Sequence, residues 1–270
     1  MKFYKMTGSG NDFVMLDGRG TQPADWSSGR IVEVCHRRNG VGADGLVILT
    51  PEGPGTVRMS FYNSDGSQAS MCGNAALCST TLATRLGMAS GSGMQLATGA
   101  GTFPTRVTGR PDESSLNLPP FDLPESVPIA LEEGEQSIWL STVGVPHLTL
   151  LVHDVDKVDL DGRGRLLRNH PGVGPAGANV NFLTLRQSEK GAEWLMRTYE
   201  RGVEGETLAC GTGAVASAVA LARFAGAQLP VDIVSRSGRP LSVRARLEAT
   251  RAADVWLTGE GRLVFEGDLA

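Results

Sequence analysis

Val57-Arg58-Met59-Ser60-Phe61-Tyr62, then Asn63-Ser64-Asp65-Gly66-Ser67, then Cys72-Gly73-Asn74, is the stretch from which the organisation of the chain is read. Val57, Met59 and Phe61 alternate with Arg58, Ser60 and Tyr62, the period-two pattern of a half-buried strand. The five residues after it are turn formers. Beyond Cys72, the side chains of Ala75, Cys78, Leu82 and Leu86 fall on one face of a helix, and Gly87 stands where a helix C-terminal glycine belongs.

The second half repeats this order. Leu195, Arg197 and Tyr199 alternate with Trp194, Met196 and Thr198, a loop spans 201–209, Cys210-Gly211-Thr212 follows, and a helix over 214–225 runs to Gly226. That helix is apolar nearly all round, which predicts burial at the centre of its domain. Self-similarity on this scale means that one supersecondary unit has been used twice. Cys72 and Cys210 then occupy equivalent places, each at the start of a buried helix.

The position carries chemistry. A thiol at a helix N-terminus feels the positive end of the dipole and the unsatisfied N–H groups there, which lower its pKa from about 8.5 toward neutrality. The same N–H groups bind carboxylates. Two such ends facing one another would hold an amino acid by its α-carboxylate, with a sulfur on each face of the α-carbon. One thiolate would take the proton and the opposite thiol return one. Proton abstraction from carbon needs a base at close range and donors for the developing enolate charge. A single Cys-Gly at a buried turn reads more readily as a small residue that fits; two in equivalent contexts reverse that and favour the chemical reading. Cys35, in Ile31-Val32-Glu33-Val34-Cys35, and Cys78, on the apolar stripe, read as core.

Composition narrows the alternatives. The chain has 270 residues, enough for one large or two ordinary domains, and its 41% hydrophobic and 20% charged content is that of a soluble globular protein. A net charge of −4, with 21 arginines and four lysines scattered along the chain, gives no footprint for nucleic acid or an anionic membrane. Residues 1–18 lack the apolar core of a signal peptide, and the stretch 207–222 is too short to span a bilayer, so a cytoplasmic location is expected. No Cys-x-x-Cys occurs and the four histidines add no metal spacing, so no metal site is expected. Lys2, Lys5, Lys157 and Lys190 are the only candidates for a pyridoxal Schiff base, and none lies beside a phosphate cradle. No cofactor is expected. Gly40-Val41-Gly42-Ala43-Asp44-Gly45 leads into a strand-like Leu46-Val47-Ile48-Leu49, not into the helix a nucleotide site requires.

Several segments together resemble diaminopimelate epimerases. They are Lys5-Met6-x-Gly8-x-Gly10-Asn11-Asp12-Phe13, Arg37-Arg38-x-Gly40-Val41-Gly42-Ala43-Asp44, Tyr62-Asn63-x-Asp65-Gly66-Ser67 and Met71-Cys72-Gly73-Asn74 in the first half. In the second half they are Pro146-His147, Asn179-Val180-Asn181-Phe182, Tyr199-Glu200-Arg201-Gly202 and Gly205-Glu206-Thr207-Leu208-Ala209-Cys210-Gly211-Thr212-Gly213. Each is modestly specific; all of them in this order are highly specific.

The resemblance implies an α/β fold of two pseudo-symmetric domains, each a β-roll wrapped around a central α-helix, with the active site between them. The domains would be 1–118 and 119–261, with 262–270 returning to the first. It implies cofactor-independent interconversion of LL- and meso-2,6-diaminopimelate for lysine and peptidoglycan synthesis, by a homodimer. Carried over by position, Cys72 and Cys210 are the acid and base. Gly73, Asn74, Gly211 and Thr212 are the helix-end groups that hold the reacting carboxylate. Asn11, Asn63, Asn179, Glu200 and Arg201 are substrate ligands, Arg201 suiting a bidentate carboxylate contact. His147 and Glu200 would tune thiol ionisation.

The chain departs from frequent members at Gly45, where many have Gln, at Val145, where many have Asn, at Leu77, where Arg is frequent, and by one extra residue in 202–206. These departures bear on the far end of the substrate, not on the reacting centre. The rival readings are a related racemase of another amino acid, such as histidine or diaminobutyrate, and a non-catalytic amino-acid binding protein. The intact thiol pair argues against the second.

Overall fold

The computed structural model describes residues 1–189 and 191–270. Lys190, one of the four lysines weighed as Schiff-base candidates, lies outside the described residues. In chain order the elements are β1 (Lys2–Gly8), β2 (Asn11–Asp17), α1 (Ser28–Cys35), β3 (Gly45–Gly53), β4 (Thr56–Asn63), β5 (Gln68–Ala69) and α2 (Gly73–Arg85). Then come β6 (Met94–Thr98), β7 (Gly101–Val107), β8 (Glu113–Leu118), β9 (Phe121–Asp122), β10 (Glu125–Ser126), β11 (Glu135–Val143) and β12 (Val145–Val152). The chain continues through α3 (Leu160–Arg168), β13 (Asn179–Ser188), β14 (Gly191–Glu200), β15 (Gly205–Thr207) and α4 (Gly211–Phe224). It ends with β16 (Val231–Val234), β17 (Pro240–Leu247), β18 (Arg251–Glu260) and β19 (Arg262–Asp268).

The elements form two compact units: Met1–Asn117 with Thr258–Ala270, and Leu118–Leu257. The same pairing order recurs in both. In unit 1, β1–β2 is antiparallel, β2–β3 parallel, β3–β4 antiparallel, β4–β6 parallel and β6–β7 antiparallel. In unit 2, β11–β12, β12–β13, β13–β14, β14–β16 and β16–β17 follow with the same alternation of sense. Each parallel step needs a crossover, which α1 and α2 supply in unit 1 and α3 and α4 in unit 2. The α/β class read from the sequence therefore holds. The last strand, β19, pairs antiparallel with β1 and closes unit 1 with the final residues of the chain.

Each unit is organised around one helix. Strands β1, β2, β3, β4, β6, β7 and β19 pack against α2, which is possible because Ala75, Ala76, Leu77, Cys78, Leu82 and Ala83 are fully buried, and four of the six are small. Ser79 and Thr80 are buried too. Their hydroxyls donate to the carbonyls of Ala75 and Ala76 at 2.7 and 2.8 Å, so the polar groups are satisfied within the helix itself. Strands β11, β12, β13, β16 and β17 pack in the same way on α4. That helix begins at Gly211, three residues before the start read from its apolar pattern, because glycines open its first turn. Gly87 (φ 65°) and Gly226 (φ 70°) lie just past the two helix ends in the left-handed conformation, where only glycine is unstrained. Central strands are covered on both faces, and their unbroken apolar runs Val14-Met15-Leu16 and Leu46-Val47-Ile48-Leu49 are wholly buried. The second face of each sheet is filled by α1 in unit 1, around Trp26, Ile31 and Cys35, and by α3 in unit 2, around Leu160 and Leu167. Among the described residues, no helix is long and apolar enough to cross a membrane.

Candidate active site

Cys72 and Cys210 are the N-cap residues of α2 and α4, both with extended backbone (φ −144°, ψ 122° and φ −129°, ψ 106°). The carbonyl of each accepts the first intrahelical bond, from Ala76 and Ala214, both at 2.9 Å. The N–H groups of Gly73 and Asn74, and of Gly211 and Thr212, are left without an intrahelical acceptor at the end where the dipole is positive. All four cysteines are thiols. Burial pushes Cys35 up to about 11 and Cys78 well above the usual thiol range, so both stay protonated, as core residues do.

In unit 1 the first turn of α2 is tied to the β1–β2 hairpin. Asn74 Nδ2 donates to Asn11 Oδ1 at 2.7 Å, and Asn11 Nδ2 donates to Asp44 Oδ2 at 3.0 Å. Gly8 has no room for a side chain, since a Cβ there would lie 2.9 Å from the Asn74 carbonyl oxygen. Asn63 ends β4 opposite Gly45, its amide donating to Ser67 Oγ at 3.0 Å. Unit 1 thus brings Asn11, Gly73 and Asn74 to the Cys72 end of α2.

Charged groups support this face. Arg37 donates to both carboxylate oxygens of Asp12, at 2.8 and 3.0 Å, and to Asp44 Oδ1 at 2.6 Å. Lys5 donates to Asp12 at 2.7 Å and to the Gly42 carbonyl. Burial pushes the Asp12 carboxyl up, but the hydrogen bonds from Arg37 and Lys5 outweigh it and hold the group at about 2. Of the lysines weighed for a Schiff base, Lys5 is held in this cluster, and Lys2 and Lys157 pair with Glu266 and Asp154 at the surface.

In unit 2, His147 on β12 pairs in register with Asn179 on β13. Asn179 Oδ1 accepts from the Arg201 backbone N–H at 2.8 Å, which fixes the turn carrying Glu200 and Arg201. Burial raises the Glu200 carboxyl, the Thr207 hydroxyl beside it pulling the other way. Cys210 is buried, with Sγ 3.8 Å from Thr212 Oγ1. His147 is wholly buried; burial first, and the charge of Arg201 second, bring it down to about 3, so the imidazole is neutral. Its Nδ1 lies 3.4 Å from Asn181 Nδ2, which also donates to the Leu148 carbonyl at 3.0 Å. An amide NH₂ faces that nitrogen, so Nδ1 is the acceptor and the ring proton sits on Nε2.

Asn181 is the residue that sequence reasoning passed over. Fully buried, it accepts from the Thr198 hydroxyl at 3.0 Å, and its Oδ1 lies where a Cβ on Gly213 would be, in the first turn of α4. The signal was present: Asn179 and Asn181 share one face of a strand of period two.

The departures from the family pattern have local causes. A Cβ at Gly45 would lie 2.5 Å from the Tyr62 carbonyl oxygen and 2.6 Å from the Phe61 ring, so no glutamine fits there. Val145 follows the Gly144 turn (φ 71°) and pairs with Val143 in the β11–β12 hairpin. Leu77 is buried inside unit 1, its carbonyl taken by the Ser114 hydroxyl at 2.7 Å. In the longer 202–206 loop, Glu204 pairs with Arg168 of α3 at 3.0 Å. Among the described residues, no three of His, Cys, Asp and Glu gather as a metal site.

The chain matches the family model described as diaminopimelate epimerase over residues 3–115 and 139–253. It is 46% identical to a diaminopimelate epimerase of Gemmatimonas aurantiaca, covering 100% of this chain and 99% of that one. It is 38% identical to a diaminopimelate epimerase of Aquifex aeolicus, covering 100% and 98%. In fold it is similar to a Bacillus anthracis phenazine biosynthesis protein of the PhzF family, with a TM-score of 0.77 at 13% identity over 100% of this chain and 99% of that one.

Proposed function

The chain belongs to the diaminopimelate epimerase family; it is an isomerase of lysine biosynthesis with diaminopimelate epimerase activity, and we propose that it inverts the substrate's α-carbon with the thiols of Cys72 and Cys210. The observation that carries this reading is that both cysteines cap buried helices in units of the same strand order. One thiolate takes the α-proton and becomes a thiol. The electron pair left on carbon spreads into the α-carboxylate, whose charge is met by the main-chain N–H groups of Gly73, Asn74, Gly211 and Thr212. The other cysteine, a thiol at the outset, gives its proton to the opposite face of the carbon and is left as the thiolate. LL-diaminopimelate becomes the meso form, and the reverse reaction exchanges the two roles. No cofactor or metal enters the scheme.

Recognition falls to the polar groups around each helix end. Arg201 suits the distal carboxylate and Glu200 the distal ammonium, with the amides of Asn11, Asn63 and Asn179 completing the set. His147, neutral and buried, and Glu200, with its raised pKa, set the electrostatic surroundings in which Cys210 ionises. We further propose that the protein works in the cytoplasm as a homodimer and serves peptidoglycan as well as lysine synthesis.

The test is isotopic. In deuterated water, LL-diaminopimelate is expected to gain α-deuterium and yield the meso form. Cys72→Ala and Cys210→Ala are each expected to lower inversion by about 10²–10⁴-fold, the range for a positioned acid or base. Full inversion by either variant would sink the two-thiol scheme. Faster exchange with a monocarboxylic amino acid would move the preferred substrate elsewhere.

A further inference from the structure

The chemistry of the two thiols leaves four charged residues of unit 1 without a role: Lys5, Asp12, Arg37 and Asp44. They begin a chain of hydrogen bonds that ends in the first turn of α2. Arg37 holds Asp12 by two bonds and Asp44 by one, at 2.6 Å. Asp44 accepts from Asn11, and Asn11 accepts from Asn74. Asp44 and Asn74 do not bond to each other; Asn11 is the link.

The direction of every bond in this chain is forced by its charged end. A carboxylate paired with a guanidinium is an acceptor only. Asn11 therefore turns its NH₂ to Asp44 and its oxygen to Asn74. Asn74 in turn has to present NH₂ to Asn11, which points its own oxygen the other way. That oxygen is buried, and no donor among the described residues bonds to it. A buried acceptor without a donor is costly and calls for a partner from outside the chain. It lies two residues from Cys72, and the amino-acid substrate brings N–H donors on its ammonium group.

We propose that Asp44 is a positioning residue for the epimerisation: it sets the polarity of the Asn11 and Asn74 amides, so that Asn74 Oδ1 meets the substrate as the acceptor for an ammonium N–H. The assignment rests on the reading of Cys72 and the start of α2 as substrate-holding groups. Reversing the polarity would turn the NH₂ of Asn74 toward a cation. Arg37 acts one step further back, holding Asp44 in place, with Asp12 and Lys5 anchoring Arg37 in turn.

A double-mutant cycle tests it. In Asp44→Asn, Arg37 keeps the amide oxygen at position 44, so the new NH₂ faces Asn11 and the Asp12 backbone N–H; the amides of Asn11 and Asn74 both reverse, and the Asp12 N–H loses its acceptor. In Asn74→Asp, two carboxylates compete for the single NH₂ of Asn11. In the double variant the amide polarity runs backwards: position 44 donates to Asn11, Asn11 donates to the carboxylate at 74, and the second carboxylate oxygen restores an acceptor, so that only the Asp12 backbone N–H, which bonds Asp44 Oδ2 at 3.2 Å, loses its partner. Each single variant is expected to raise KM for LL-diaminopimelate about tenfold or more, since each mispairs a buried polar group. The double variant is expected to return within a few-fold of wild type, where independent sites would multiply.

Melting temperatures of the four proteins read the relay without using activity, and should show coupling of the same sign with partial rescue, the Asp12 N–H staying without its acceptor. If the double variant is as impaired as the product of the singles in both readouts, the relay is wrong. Coupling in melting without coupling in KM would overturn the ammonium assignment and leave Asp44 a purely structural residue. A wild-type protein that failed to epimerise diaminopimelate would instead overturn the proposed function, while the melting cycle still decided the relay.

Discussion

Acid should destabilise this protein through one histidine. His147 is wholly buried, and its folded pKa is brought down from 6.5 to about 3. As pH falls through 6.5, the unfolded chain binds a proton at this position and the folded chain does not. The stability is therefore fully present above 6.5 and is lost progressively as pH falls toward about 3. With those two values, linkage gives a loss of about 2 kcal/mol between pH 7 and pH 5. The figure is insensitive to the folded value, since any pKa below about 4 leaves the folded imidazole neutral at pH 5. The assay is urea unfolding at pH 7 and pH 5 for wild type and His147→Gln. Other titrating groups, Glu200 among them, act in both proteins and cancel in the difference. Wild type should lose about 2 kcal/mol more than the variant on acidification. Equal losses would show that His147 already carries its proton in the folded state, and the neutral-imidazole account would fall.

Two further substitutions test the packing around the helix ends. Gly45→Ala places a Cβ against the Tyr62 carbonyl oxygen and the Phe61 ring and should destabilise by about 3 kcal/mol or more in denaturant unfolding; a change within about 0.5 kcal/mol would show that β3 and β4 separate easily there. Asn181→Leu strands the Thr198 hydroxyl and the Leu148 carbonyl and should cost about 2–4 kcal/mol in the same assay. Adding Thr198→Val should recover part of that loss, and strictly additive losses would contradict the pairing of the two residues.

The two central helices were legible from the apolar patterns that follow Cys72 and Cys210, and the strands because β4 and β14 alternate. Burial of α2 on all sides was not, because Ser79 and Thr80 look polar in the sequence and satisfy themselves on the preceding turn. The early start of α4 was hidden by Gly211 and Gly213, poor helix formers by propensity that packing nonetheless places in its first turn. Around the thiols, the residues named in advance came from a family pattern. The supports behind them are made only by the fold: Asn11 reaches Asn74 across 63 residues, Asp44 reaches Asn11 across 33, and Asn181 reaches His147 across 34. No local pattern encodes a bond of that span.

The pairing of β1 with β19 sets an order of events during synthesis. Strand β1 is made well before β19 and bonds to it along one side, and the Met1 nitrogen and carbonyl are held by the carbonyl and N–H of Leu269 at 2.8 and 2.7 Å. Unit 1 therefore waits with an open edge while all of Leu118–Leu257 is made. At about 5–20 residues per second that wait is of order ten seconds, long enough for an unpaired strand to find another chain. Lys2 is exposed on that strand, and a charged side chain of this kind discourages pairing between chains until β19 arrives.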